Sequence, residues 1–125
     1  MALILIAEDE KDIRELIQFS LTFAGFEVVA ALNGKDLVEK AKSMTVKPDL
    51  IMSDVRMPQM TGYEACAEIK KIAGLKDIPV VFLSAKGQES EIQTGLESGA
   101  HEYILKPFAP DELIRRVTEL VKKAK

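Results

Sequence analysis

Apolar residues along this chain alternate between two rhythms. Short apolar-rich runs at Leu3–Ala7, 26–30, 50–52, 80–83 and 102–105 read as strands, and the continuous run Leu3–Ala7 is expected to be buried on both faces. Between them, apolar positions recur every three or four residues, as on one face of a helix. Ile13, Leu16, Ile17, Leu21 and Ala24 form the first stripe, and Gly25 follows where a helix C-terminus favours it. Leu37, Val38, Ala41 and Met44 mark a short second helix after Asn33-Gly34, stopped by Pro48. A third helix is predicted over 63–73, with Tyr63, Cys66, Ala67 and Ile69 inward and Gly74 after it. A fourth segment, 89–98, has only Ile92 and Leu96 as large apolar anchors, with Gly95 between them. The last helix opens at Pro110 and buries Leu113, Ile114, Val117, Leu120 and Val121. Asp111 and Glu112 sit at its positive end, Lys122 and Lys123 at its negative end.

Strands alternating with helices imply a parallel sheet with right-handed crossovers. Five such units are too few for an eight-fold barrel. The predicted fold class is therefore α/β, a doubly wound (βα)5 sandwich whose five-stranded parallel sheet runs in the order 2-1-3-4-5. No linker or composition break divides the chain, so residues 1–125 are expected to form a single domain.

Composition narrows the function classes. Hydrophobic residues make up 47% and charged residues 30% of the 125, which fits a soluble globular chain. A net charge of −3 gives no basic footprint for nucleic acid. No apolar stretch approaches the roughly 18 residues that span a bilayer. The N-terminus lacks the basic region of a signal peptide, and a lone cysteine, Cys66, suits a reducing compartment. The expectation is a cytoplasmic protein, with Cys66 as core filling and His101 on the surface.

The chemistry gathers where the runs end. Asp9 follows the first run, Asp54 the third, Ser84 the fourth and Lys106 the fifth. In a doubly wound sheet these positions share the carboxyl edge, where ligands bind. Strands one and three adjoin, so Glu8, Asp9 and Asp54 would crowd three carboxylates together and require a cation. Mg2+ suits such a set, since it takes oxygen ligands and keeps several waters. An arriving phosphoryl group would meet the metal, the Ser84 hydroxyl and the Lys106 ammonium, with Asp54 between metal and lysine as the nucleophile. Taken singly, Glu8 or Asp9 could cap a helix and Asp54 could be a turn residue. It is their convergence on one edge that favours a site. The acidic turn Glu8-Asp9-Glu10 argues against a dinucleotide or flavin site, because it would repel a pyrophosphate. The D-x-D pattern of an aspartate-nucleophile phosphatase is absent after the first strand.

Glu8-Asp9, the segment Ser53-Asp54-Val55-Arg56-Met57-Pro58, Gly62, Ser84-Ala85 and Lys106-Pro107-Phe108 together resemble the receiver domain of two-component response regulators, a flavodoxin-like fold, across essentially the whole chain. The resemblance implies a phosphorylation-activated signalling switch. Asp54 would accept phosphate from a sensor histidine kinase or a histidine phosphotransfer protein. Asp9 would be the principal carboxylate ligand of Mg2+, with Glu8 beside it, often through water, and Arg56 offering its backbone carbonyl. Ser84 and Lys106 would bind phosphoryl oxygens, and Tyr103 resembles the aromatic switch residue; its plainer alternative is a half-buried strand aromatic. Glu8 stands where aspartate is commoner and Ser84 where threonine is frequent, but no chemical group is lost. With no output segment after Lys125, the chain is expected to act as a stand-alone receiver. It would be a monomer or weak dimer that touches neither nucleic acid nor membrane and signals to a downstream protein through 89–98, the fifth strand and the last helix. The alternatives are a scaffold indifferent to phosphorylation and the receiver part of a longer regulator. As an enzyme it would act only on itself.

Overall fold

An apolar run with no polar alternation has no face to offer water, so it must be covered on both sides. In a computed structural model, which describes residues 2–57, 60–85, 102–106 and 108–124, the five runs are strands β1 (Leu3–Ala7), β2 (Glu27–Ala31), β3 (Leu50–Asp54), β4 (Val80–Ala85) and β5 (Glu102–Lys106). They form one parallel sheet in the order β2-β1-β3-β4-β5, as predicted. The described helices are α1 (Lys11–Phe23), α2 (Gly34–Ser43), α3 (Gly62–Lys70) and α4 (Pro110–Ala124), the last being the C-terminal helix of the sequence reading. The segment expected to be helical over 89–98 lies outside the described residues, as does His101. Among the described residues, no helix is long and apolar enough to cross a membrane.

Two cores sandwich the sheet. Leu5, Ala7, Ile51, Val80 and Phe82 meet α2 and α3 through Leu37, Val38, Ala65, Cys66 and Ile69. Ile4, Ile6, Leu50, Met52, Val81, Leu83 and Ile104 meet α1 and α4 through Ile17, Leu21, Leu113 and Val117. Successive residues of a strand thus feed opposite cores, as the pleat requires. Each fully buried Leu, Ile or Met contributes about 1.5–3 kcal/mol relative to exposure.

Several predicted boundaries and faces move. β2 begins one residue later than predicted, at Glu27. β3 ends at Asp54, as expected, while β4 extends to Ala85 and β5 includes Lys106, because each still offers the other ladder partners: Ser84 stands opposite Leu105 and Ala85 opposite Lys106. The helix predicted to reach residue 73 ends at Lys70, where the Lys71 and Ile72 N–H groups turn back to the carbonyls of Glu68 and Ile69, three residues earlier. Leu16 is not in the buried stripe of α1, which is Ile17, Ser20 and Leu21. It lies on the solvent side with Phe19 and Phe23, whose stacked rings have centroids 6.4 Å apart. Ala67 likewise faces out. At the end of α1, Gly25 has φ +97°; its N–H donates to Thr22 and the Phe26 N–H to Leu21, closing the helix in a left-handed turn.

Asn33 caps α2 by accepting from the Asp36 N–H at 2.8 Å, and Asp36 accepts in turn from the Leu32 N–H at 2.9 Å. Partial burial of Asp36 works against its charge. The Leu32 N–H and the Lys40 ammonium, 2.9 Å away, outweigh it and hold the carboxyl below its ordinary range.

Candidate functional site

Register decides which groups meet. β1 lies beside β3 with Ala7 opposite Ser53, so the following residues, Glu8 and Asp54, emerge at the same end of the sheet. Across β3 and β4, Asp54 stands opposite Leu83. Across β4 and β5, Ser84 stands opposite Leu105 and Ala85 opposite Lys106. Four strands therefore deliver Glu8, Asp54, Ser84 and Lys106 within a step of one edge.

The acids converge as the sequence predicts. Glu8 is fully buried, Asp54 is 8% exposed and Asp9 is open to solvent. One carboxylate oxygen from each lies within 4.8 Å of the other two. The turn carrying Glu8 and Asp9 is pinned by its backbone: the Glu8 N–H donates to Ala31 at 3.3 Å, and Nη1 of Arg14 donates to the Glu8 carbonyl at 3.0 Å. Oε2 of Glu8 accepts from the Glu10 N–H at 3.2 Å. The N-cap of α1 is Glu10, which makes no side-chain cap bond, so Asp9 is not spent on capping.

Carboxylates brought this close favour a cation among them. The donor set consists only of carboxylate oxygens, two of them buried and one reachable by water. It fits a hard divalent ion that keeps part of its hydration, which describes Mg2+. Arg56, two residues past Asp54, is exposed. Ser84 is fully buried on β4, and Lys106 closes β5.

The start of α3 is seated on the end of β3. The Gly62 N–H donates to the Val55 carbonyl at 2.9 Å. A Cβ on Gly62 would strike the Asp54 carbonyl oxygen and lie 2.9 Å from Ser53 Oγ, which itself donates to that carbonyl at 2.9 Å. Thr61 and Glu64 fix the helix start reciprocally: Thr61 Oγ1 accepts from the Glu64 N–H and Glu64 Oε1 from the Thr61 N–H.

Tyr103 lies below the edge, directly opposite Phe82 and half-buried against the α2/α3 core. Its hydroxyl is 2.7 Å from that of Tyr63 on α3. Cys66 is buried on α3 as core filling, and burial pushes its thiol up despite the opposing charge of Lys70. Sequence reasoning assigned no role to Arg14, Ser53 or the Tyr63 hydroxyl. The Thr61-x-x-Glu64 capping signature was readable and marks where α3 must begin; the other contacts depend on tertiary geometry.

Residues 4–118 match the family model described as the response regulator receiver domain. Over 122 residues the chain is 40% identical to the phosphate regulon transcriptional regulatory protein PhoB of Pseudomonas aeruginosa, covering 96% of this chain and 52% of that one. It is 36% identical to the alkaline phosphatase synthesis transcriptional regulatory protein PhoP of Bacillus subtilis, covering 97% and 49%. Among solved structures, the chemotaxis protein CheY4 of Vibrio cholerae superimposes with a TM-score of 0.89 at 32% identity, covering 96% of this chain and 98% of that one. The chain spans about half the length of the curated relatives it matches.

Proposed function

Because the chain belongs to the response regulator receiver domain family, we propose that it is a phosphorylation-activated switch whose acceptor is Asp54. The observation that carries this reading is the triple approach of Glu8, Asp9 and Asp54 oxygens at the carboxyl edge of neighbouring strands. The donor is a phosphohistidine on a sensor histidine kinase or a histidine phosphotransfer protein. A carboxylate oxygen of Asp54 attacks phosphorus; the P–O bond forms as the P–N bond breaks, and the departing imidazole takes a proton from solvent. Glu8, Asp9, Asp54 and the Arg56 carbonyl would hold Mg2+, which supplies charge neutralisation for the carboxylates and the incoming phosphoryl oxygens. Ser84 and Lys106 bind those oxygens, a role supported by their places on adjoining strands at the same edge. Tyr103 reads the state of Ser84: the two residues lie on adjacent strands, and Phe82, directly opposite Tyr103, is two residues before Ser84 and so on its face of the sheet.

The test is phosphoryl incorporation from acetyl phosphate in the presence of Mg2+. Asp54→Asn keeps the shape but not the nucleophile, so it should abolish labelling while the fold survives. Labelling of that variant at the wild-type level would place the acceptor elsewhere, whereas a wild-type protein that takes up no phosphoryl group would leave the scaffold reading in its stead.

The output is proposed to pass to a downstream protein through β5, α4 and the segment 89–98. The half-length match to transcriptional regulators favours a transcriptional output within a longer polypeptide over the stand-alone receiver expected from the sequence. Immunodetection of the native protein, at 13.8 kDa or at about twice that, separates the two.

A further inference from the structure

We infer that Tyr63 is a positioning residue for Tyr103: its hydroxyl holds the Tyr103 ring in the described rotamer and, through Gly62, ties that rotamer to the backbone of Asp54. Three rings form one connected group. Phe82, almost fully buried on β4, stands edge-on to Tyr63 with centroids 4.8 Å apart, and its other neighbour is Tyr103 at 5.7 Å. The two hydroxyls meet at 2.7 Å, so the bond joins α3 to β5 over the top of a β4 side chain. The ring contacts fix the plane of each tyrosine, and the hydroxyl bond selects which rotamer satisfies both tips. A hydrogen bond of ordinary net strength biases two rotamers by about two- to ten-fold. That is enough to set a population without locking it.

The second half of the inference follows from sequence adjacency, and it rests on the phosphoacceptor reading above. Tyr63 directly follows Gly62, whose backbone lies against the Asp54 carbonyl and bonds Val55. The 2.9 Å bond from the Gly62 N–H to Val55 ties the first turn of α3 to the residue that follows β3, and the Thr61–Glu64 capping pair holds that turn together. A change in the Asp54 backbone that accompanies phosphoryl binding is therefore felt one residue away, at the ring that holds Tyr103. This line is separate from the one through Ser84 on β4.

Tyr63 and Tyr103 are the chain's two tyrosines, so Tyr63→Phe leaves a single tyrosine ring signal. In ring-labelled protein without phosphoryl mimic, this variant should fold as wild type, because the Phe ring keeps its contact with Phe82. Its Tyr103 signal should move, with side-chain couplings averaged over two rotamers. An unchanged Tyr103 signal overturns the positioning role. Beryllofluoride with Mg2+ is then added to Ser84→Ala and to Ser84→Ala/Tyr63→Phe. The Tyr103 response should persist in the first and be lost in the second, while the amides of Val55 and Arg56 respond in both. An equal Tyr103 response in both, or none in Ser84→Ala, overturns the second line. If Val55 and Arg56 do not respond even in wild type, the acceptor reading and the coupling fall together, while the measurement without mimic still decides the positioning role.

Discussion

Gly62→Ala offers a direct reading of how β3, the strand of the proposed acceptor, is held. The added methyl would run into the Asp54 carbonyl oxygen and lie 3.1 Å from its carbon, with Ser53 Oγ at 2.9 Å. Two of these three atoms are backbone in a paired strand, so a side-chain rotation cannot clear them. Either α3 lifts, stretching the 2.9 Å bond from the Gly62 N–H to Val55, or the end of β3 shifts. Overpacking of this kind costs about 1–3 kcal/mol and a weakened hydrogen bond about 1 more. The better helix propensity of alanine returns at most about 1. A net loss of about 1–3 kcal/mol should lower the urea midpoint by about 1 M with an unchanged slope. Acceptance of phosphoryl from acetyl phosphate should fall as well, because the Asp54 backbone is what moves. Gly25→Ala is the control. Its strain comes from φ +97° with nothing near the methyl, so it should cost about 1–2 kcal/mol and leave phosphorylation intact. A Gly62→Ala protein as stable and as readily phosphorylated as wild type would refute the seating of α3 on Asp54.

Three other outcomes are expected. Mg2+ at ten times its dissociation constant should stabilise the protein by about 1.4 kcal/mol, seen as a higher melting temperature, and Asp9→Ala should lose most of this; an identical titration removes Asp9 from the ligand set. Ser84→Ala should still take up phosphate at Asp54, but more slowly, with initial rates of incorporation as the measure. Asp36 has a carboxyl held below its ordinary range. The charge on Asp36 thus contributes stability that is full above the unfolded carboxyl value near 4 and is lost as pH falls through the folded value. Asp36→Asn should accordingly be less stable by about 0.5–1 kcal/mol at pH 7, with the gap closing in acid, as read by denaturant unfolding across pH.

Much of the molecule was legible because a single rule applied to each part. The unbroken runs of β1 and β3 could only be doubly covered strands, whereas the run interrupted by Glu27 became the partly exposed edge strand β2, and Gly25 could be read as the stop of α1 from its position alone. The acids were found because strand order, once inferred, makes Glu8 and Asp54 neighbours. Illegible were the features that depend on a third element. Leu16 fits the apolar spacing of α1 as well as Ile17 does, and only the crossing of α1 over the sheet decides between them. Ladder ends at Ala85 and Lys106 depend on what the adjoining strand still offers. The Tyr63–Tyr103 bond spans forty residues and three elements, and no local pattern announces it.

The alternation of β3 between the two cores also makes the position of Asp54, the proposed acceptor, an address counted in single residues. Ile51 belongs to one core and Met52 to the other, and Asp54 is reached by continuing that count past Ser53. A one-residue deletion within β3 could re-form an apolar strand at little cost in hydrophobicity, yet it would exchange the faces of Ser53 and Asp54. Point substitution in this strand is thus a question of volume, whereas insertion or deletion is a question of reading frame. A lineage could drift freely in the first respect while remaining fixed in the second.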